Sequence, residues 1–256
     1  MGIAEKYQDI GQSLEQLGQL GKAKGDTVFN FNFNFERNED QKNNLKELID
    51  GNFTLCAYKG AKGSGAIPVW FTETYDNVFG ILSVNYTPSY KVFIGALREV
   101  SGTTSLNVSK SSAEIGLGKG LAVDKYGNFS TLANKDPLSI ALMNNRPNGT
   151  PPLTVGLSAL VGGEYKPFCT FELKPGGTIN MEPLETVLLF AAQTDLVSGS
   201  VNATTAAPGC TFPFGQGPTT FPLEMITGSL GMKSADGDAS VKQTKSNENI
   251  ATLLGN

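Results

Sequence analysis

The stretch Thr27-Val-Phe-Asn-Phe-Asn-Phe-Asn-Phe-Glu36 alternates apolar and polar residues along its central part. Successive side chains of a β-strand point to opposite faces, so this pattern predicts a strand with one aromatic and one amide face. The aromatic face consists of Phe29, Phe31, Phe33 and Phe35, and the amide face consists of Asn30, Asn32 and Asn34. A bare strand of this kind invites cross-β stacking. We therefore expect the aromatic face to be buried and the strand to be central or covered.

The residues after this strand predict one short helix and then many short strands. Residues 40–50 place Leu45, Leu48 and Ile49 on one side, and Gly51 is a suitable C-cap. Turn residues such as Thr87-Pro88 separate the apolar segments that follow, which favours a mainly β fold, an antiparallel β-sandwich or a barrel-like body. The strands are predicted at 53–59, 68–75, 78–86, 90–100, 120–125, 128–133, 138–143, 153–161, 165–173, 177–181, 185–193, 197–203 and 220–227.

The N-terminal residues have a different period, which predicts an amphipathic helix. Apolar residues recur every three or four positions, at Ile3, Tyr7, Ile10, Leu14, Leu17 and Leu20. Gly11 and Gly18 lie seven residues apart and permit close approach of a second protein segment. We expect a helical arm over residues 1–25, self-association through it, and a single β-rich domain over residues 26–256.

Composition excludes several classes of function. The chain has 256 residues, a net charge of −4 and no histidine, so histidine-based triads and histidine-ligated metals are absent. A negative net charge argues against nucleic-acid binding. No apolar run approaches the roughly 18 residues of a transmembrane span.

The cysteines and the N-terminus suggest a compartment. Cys56, Cys169 and Cys210 are distant from one another and odd in number, which predicts buried free thiols. The first residues lack the apolar region of a signal peptide. We expect a cytoplasmic protein, with release without a leader left open.

No motif supports an enzyme. Gly116-Leu-Gly-Lys-Gly120 lacks the spacing of a phosphate-binding loop, and Asp236-Gly-Asp238 lacks the further oxygen ligands of a calcium loop. We therefore expect no catalytic residue, no metal and no cofactor.

The candidate ligand-binding residues are aromatic and amide side chains near predicted turns. Trp70 and Tyr75 precede Asp76-Asn77, a combination that suits stacking on a sugar ring or contact with a lipid interface, with core packing as the alternative. Tyr86 and Tyr90 flank the Thr87-Pro88 turn and form a second candidate, with the same alternative.

A β-rich body preceded by an amphipathic helix resembles, in architecture only, some leaderless lectins and small pore-forming proteins. The first hypothesis is a non-enzymatic recognition protein that binds a glycan or a surface, with oligomerisation as an option. The alternatives are a structural or storage protein, a carrier of a small apolar ligand or pigment, and a pore-forming protein that uses the N-terminal helix.

Overall fold

The computed structural model describes residues 27–100, 102–214 and 218–256. The chain is mainly β over these residues, as the sequence predicts. The predicted helical arm, residues 1–25, lies outside the described residues.

Strands make up most of the regular elements in these ranges, and two helices accompany them. The strands are β1 (Phe29–Asn34), β2 (Thr54–Ala61), β3 (Phe71–Thr74), β4 (Ile81–Val100), β5 (Thr103–Ile115), β6 (Lys119–Val123), β7 (Phe129–Ala133), β8 (Ile140–Asn144), β9 (Leu153–Val161), β10 (Glu164–Pro167), β11 (Phe171–Leu173), β12 (Thr178–Met181), β13 (Pro183–Ala192), β14 (Ser200–Val201), β15 (Gly209–Pro213), β16 (Thr220–Ile226), β17 (Gly231–Ser234) and β18 (Lys242–Thr244). Helix α1 (Glu39–Asp50) follows β1, and helix α2 (Ile250–Leu254) lies near the C-terminus.

The strands form three sheets. The nine-stranded sheet has the order β10-β9-β4-β1-β16-β17, with β11 beside β9, β5 beside β4, and β14 beside β5. The five-stranded sheet has the order β18-β15-β13-β2-β3, and the four-stranded sheet has the order β12-β8-β6-β7. Most pairs are antiparallel, but β1 pairs with β16 and β6 pairs with β8 in parallel. None of the three sheets closes into a barrel in the part of the chain that the structure describes.

The aromatic face of β1 lies between the nine-stranded and five-stranded sheets. The Phe31 ring is 6.2 Å from the Phe71 ring of β3 and 5.8 Å from the Phe212 ring of β15. All four phenylalanines of this face are buried, as predicted from the alternation. Strand β1 is also central, with β4 on one side and β16 on the other.

Helix α1 begins with the acidic pair Glu39-Asp40, as the sequence indicates, and contacts β16 of the nine-stranded sheet. Asn38 caps it by accepting a hydrogen bond from the Gln41 backbone N–H at 2.9 Å. The buried Gln41 amide donates to the Met225 carbonyl and accepts from the Met225 N–H. It therefore satisfies the backbone of β16 at a position beyond the last residue of β1 paired with that strand.

The predicted strands differ from the observed ones at several places: strands β15, β17 and β18 were not predicted, and two further differences concern β4 and β5. The predicted turn at Thr87-Pro88 does not separate two strands, because β4 continues through it with a register shift between Thr87 and Tyr90. Strand β5 was not predicted, and it pairs with β4 along most of its length. In the described parts of the chain, no helix is both long and apolar enough to cross a membrane.

Candidate functional site

The structure separates the predicted ligand-binding residues into two groups. Trp70, Tyr75, Tyr86 and Tyr90 are buried, whereas Asp76 and Asn77 are exposed. The Trp70 ring packs 5.2 Å from both the Phe71 and the Tyr86 rings. The four rings therefore belong to the core, as the alternative interpretation held, and Tyr86 and Tyr90 lie within strand β4 rather than beside a turn.

Lys59 was not predicted as a special residue, yet its side chain is fully buried. Strand β13 has an irregular register between Pro183 and Val187, opposite this part of β2. Lys59 Nζ donates a hydrogen bond to the Leu184 carbonyl within this segment, and it lies 3.1 Å from Glu185 Oε2. The irregular segment thus supplies both partners of the buried ammonium group.

Two tyrosines of β4 extend this polar network across the core. Tyr90 OH donates to Glu185 Oε1 at 3.4 Å, and the hydroxyls of Tyr86 and Tyr90 are 3.0 Å apart. Lys59 Nζ also lies 5.2 Å from the centroid of the Tyr86 ring, a cation–π arrangement. The network therefore connects the five-stranded sheet to the nine-stranded sheet.

Burial sets the protonation behaviour of this network. Desolvation lowers the pKa of Lys59, and the nearby Glu185 carboxylate opposes that shift. Desolvation raises the pKa of Tyr86 and Tyr90 well above the usual value, with Glu185 adding to both shifts. Because Lys59 and both tyrosines are buried, a substrate in solution has no direct contact with them. The arrangement joins the sheets rather than presenting a nucleophile.

Exposed apolar side chains lie instead on the connection between β3 and β4, which we call the Phe79 loop (residues 76–81). Phe79 is 90% exposed and Ile81 is 59% exposed. Asp76 and Asn77, from the predicted site, belong to the same loop and are exposed. This loop therefore combines a ring, a branched apolar side chain, a carboxylate and an amide at the surface.

The Phe79 loop is held in place from both sides. Buried Tyr75 precedes it and packs its ring edge-on to Phe35 at 6.2 Å. The Phe35 N–H donates to the Gly80 carbonyl at 2.7 Å. Gly80 has a φ of +116°, a backbone conformation that glycine adopts readily and that residues with a side chain rarely adopt. The exposure of Phe79 thus results from an ordered backbone.

The amide face of β1 continues from the Phe79 loop. Ile81 is the cross-strand partner of Asn34, and Ser83 and Asn85 are the partners of Asn32 and Asn30. Asn30 Nδ2 lies 2.7 Å from Ser83 Oγ and 2.9 Å from Asn85 Oδ1, and Asn32 Nδ2 donates to Asn30 Oδ1 at 3.0 Å. The result is a row of uncharged donors and acceptors next to exposed apolar side chains.

Phe79 was missed because a lone phenylalanine between Val78 and Gly80 has no periodicity of its own. Lys59 carried a usable signal, since alternation along β2 places it on the same face as Leu55, Ala57 and Ala61. Within the described residues, no cluster of three or more side chains is suited to holding a metal ion. Comparisons with protein-family models, with curated proteins and with solved structures find no match for this chain.

Proposed function

We propose that the protein is a non-enzymatic recognition protein that binds a glycan through the Phe79 loop and the adjoining amide face. The observation that carries the proposal is the 90% exposure of the Phe79 ring on a loop whose backbone is fixed. Contiguous exposed apolar patches mark interaction surfaces, and the exposed side chains of Phe79 and Ile81 belong to the same loop.

The chemistry of the surface favours a sugar over a purely apolar ligand. One face of a pyranose ring is rich in C–H groups and packs against an aromatic ring, as Phe79 offers. The sugar hydroxyls need both donors and acceptors, and each asparagine amide provides both. Asp76 and Asn77 supply such groups in the same loop, and Asn32 and Asn34 extend them along the amide face, where Asn30 is engaged with Ser83 and Asn85.

The non-enzymatic part of the proposal is supported by the burial of the Lys59 network. Its titratable groups are committed to one another across the core, with only the Glu185 side chain partly exposed, at 20%. Self-association through residues 1–25 and a cytoplasmic location stay predictions.

The test is binding of the full chain to an array of neutral oligosaccharides, followed by titration calorimetry with the best binder. Phe79→Ser should weaken binding about tenfold, because a sugar ring that covers ~55 Å² of the phenyl ring contributes ~1.4 kcal/mol. Phe79→Tyr, which keeps a stacking surface, should bind within about twofold of the wild type.

Val197→Ser is the matched control, since Val197 is an exposed apolar residue at 60% on a different loop. It should leave glycan binding unchanged. Equal losses in Phe79→Ser and Val197→Ser, or no binding to any oligosaccharide on the array, would overturn the proposal.

A further inference from the structure

A concave surface, which we call the basic groove, is lined by residues outside the Phe79 loop. It is formed by β4 and β5, the turn between β6 and β7, and the connection between β8 and β9. Its volume is about 320 Å³, at the lower end of the roughly 300–1,000 Å³ typical of small-ligand sites. The groove is large enough for one ring with a substituent.

The groove concentrates positive charge in a chain whose net charge is −4. Lys110, Lys125 and Arg146 line it. None of these three takes part in the ion pairs formed among the described residues. In the part of the chain that the structure describes, none of the three therefore lies within ion-pair distance of a carboxylate.

The carboxylate in the groove, Asp124, is already fully engaged. Its Oδ1 accepts hydrogen bonds from the backbone N–H groups of Tyr126 and Asn128, both at 2.8 Å, and its Oδ2 accepts from Asn128 Nδ2 at 3.1 Å. These bonds, with a smaller contribution from Lys110, lower the pKa of Asp124. They also fix the turn that carries Lys125 and Tyr126. Lys110 Nζ donates one hydrogen bond to Asn128 Oδ1 of this turn at 3.0 Å, which places its ammonium group in the groove and leaves its other two N–H donors for an anion.

Apolar surface lies beside the charges. The Tyr126 ring is 73% exposed, with Lys125 Nζ 4.9 Å from its centroid. Buried Ile94 and Val123 also line the groove. The site thus offers cations for an anionic group and an aromatic face for the ring that carries it.

We infer that the basic groove binds a small anion made of one ring bearing a carboxylate, sulfate or phosphate. Arg146 and the two lysines hold the anionic group, and Tyr126 packs on the ring. Arg146 Nη1 donates to the Pro151 carbonyl at 3.1 Å, which orients the guanidinium and leaves its other N–H groups available for the anion. This site shares no residue with the proposed glycan surface and does not depend on it.

The test is NMR titration of the full chain with phenyl phosphate, glucose 6-phosphate, inorganic phosphate, benzyl alcohol and glucose. We expect saturable shifts of the Tyr126 and Gly127 amide signals with the two ring phosphates, weaker binding of inorganic phosphate, and none with the neutral compounds. Affinity should fall as salt rises, because exposed charges are screened. Tighter binding of phenyl phosphate would identify an aromatic ring as the preferred ligand, and tighter binding of glucose 6-phosphate would identify a sugar ring.

Variants separate the groove from general electrostatic attraction. Lys125→Gln and Arg146→Gln should each weaken phenyl phosphate binding about three- to tenfold, as expected for loss of one charge contact. Lys46→Gln on α1 makes the same charge change outside the groove and should leave binding unchanged. Tyr126→Ser should weaken phenyl phosphate more than inorganic phosphate.

Three results would overturn the inference. They are an absence of saturable shifts with both ring phosphates, equal weakening by Lys46→Gln and Lys125→Gln, and equal affinity for inorganic phosphate and the ring phosphates. Lys125 is exposed, so Lys125→Gln tests the groove even if Arg146→Gln disturbs the loop held at Pro151.

Discussion

Replacing Glu185 by glutamine tests the buried network around Lys59 directly. The change keeps the size of the side chain and a carbonyl oxygen that accepts a hydrogen bond, but it removes the negative charge facing Lys59 Nζ. The ammonium group then remains buried with the Leu184 carbonyl and no counter-ion from residue 185. We expect the variant to fold with lower stability.

The magnitude follows from the geometry. At 3.1 Å, two unit charges in an effective dielectric constant of about 20 attract by roughly 5 kcal/mol. The Glu185 side chain is partly exposed, which screens the pair, and the glutamine retains a hydrogen bond. We therefore expect a loss of ~2–3 kcal/mol at neutral pH, below the ~3–5 kcal/mol typical when a fully buried pair is broken.

The pH dependence has a definite sign. Burial lowers the pKa of Lys59 below the 10.5 of an exposed lysine. Between the lowered pKa and 10.5 the unfolded chain binds more protons than the folded chain, so the stability contributed by this group rises with pH. Removing Glu185 lowers the pKa of Lys59 further. The destabilisation in Glu185→Gln should therefore shrink as pH rises toward 10.

The assay is urea unfolding followed by fluorescence of Trp70, the single tryptophan of the chain and a buried one. Glu182→Gln is the matched control, since Glu182 pairs with Lys62, whose side chain is 70% exposed. It should change stability by less than ~0.5 kcal/mol. If Glu185→Gln costs no more than Glu182→Gln, the Lys59 network does not stabilise the fold as argued.

Three further predictions concern the core. Phe33→Asn places a polar group in the aromatic face, where the Phe33 ring lies 5.8 Å from the Phe35 ring. The free energy of unfolding, measured with urea, should fall by ~3–5 kcal/mol, and an unchanged midpoint would contradict this. Burial raises the pKa of Cys56 and Cys169 to about 12 and that of Cys210 further, so all three should resist a thiol reagent at neutral pH; rapid modification of two in the folded protein would count against it. Gly156→Ala should destabilise the protein by several kcal/mol, because the new Cβ would lie 2.0 Å from the Cys169 carbonyl oxygen. Gly116→Ala is the control, since its Cβ meets nothing within 4 Å, and similar unfolding midpoints for the two variants would refute the packing argument.

Periodicity in the sequence predicts the elements that have one buried face. Strand β1 follows the period-two alternation, and its aromatic face is buried as expected. The helix predicted at residues 40–50 is observed over Glu39–Asp50. In both elements the spacing of the apolar residues matches the period of the backbone, so the spacing alone was sufficient to predict the element.

Strand β5 could not be predicted in this way. Thr103–Ile115 consists largely of serine, threonine, asparagine and lysine, and most of its residues are exposed or half-buried. Its position comes from backbone pairing with β4, which local composition does not show. The turn predicted at Thr87-Pro88 failed for a related reason, since a proline without an N–H is accommodated at an irregularity inside a strand.

The prediction of the site residues was incomplete because residue type does not show which side chains are exposed. Trp70 and Tyr86 have the chemistry of a sugar-binding surface, but the two sheets that enclose the aromatic face of β1 also enclose these rings. Asp76 and Asn77 remained at the surface because they lie in a connection between strands. Which aromatic ring accompanies them there depends on how the Phe79 loop folds, and the pairing of Phe35 with Gly80 decides that.

Lys59 and Phe79 depart from the usual distribution of side chains in opposite directions. A buried ammonium group is costly, but the fold supplies Glu185 and the Leu184 carbonyl, so its placement is explained inside the chain. The Phe79 ring, in contrast, is 90% exposed, and the Phe35–Gly80 hydrogen bond holds the loop that presents it. The internal contacts thus account for the burial of Lys59, whereas the Phe79 ring is free to contact a ligand. That difference is the physical reason for looking for the function at the Phe79 loop rather than at the buried lysine.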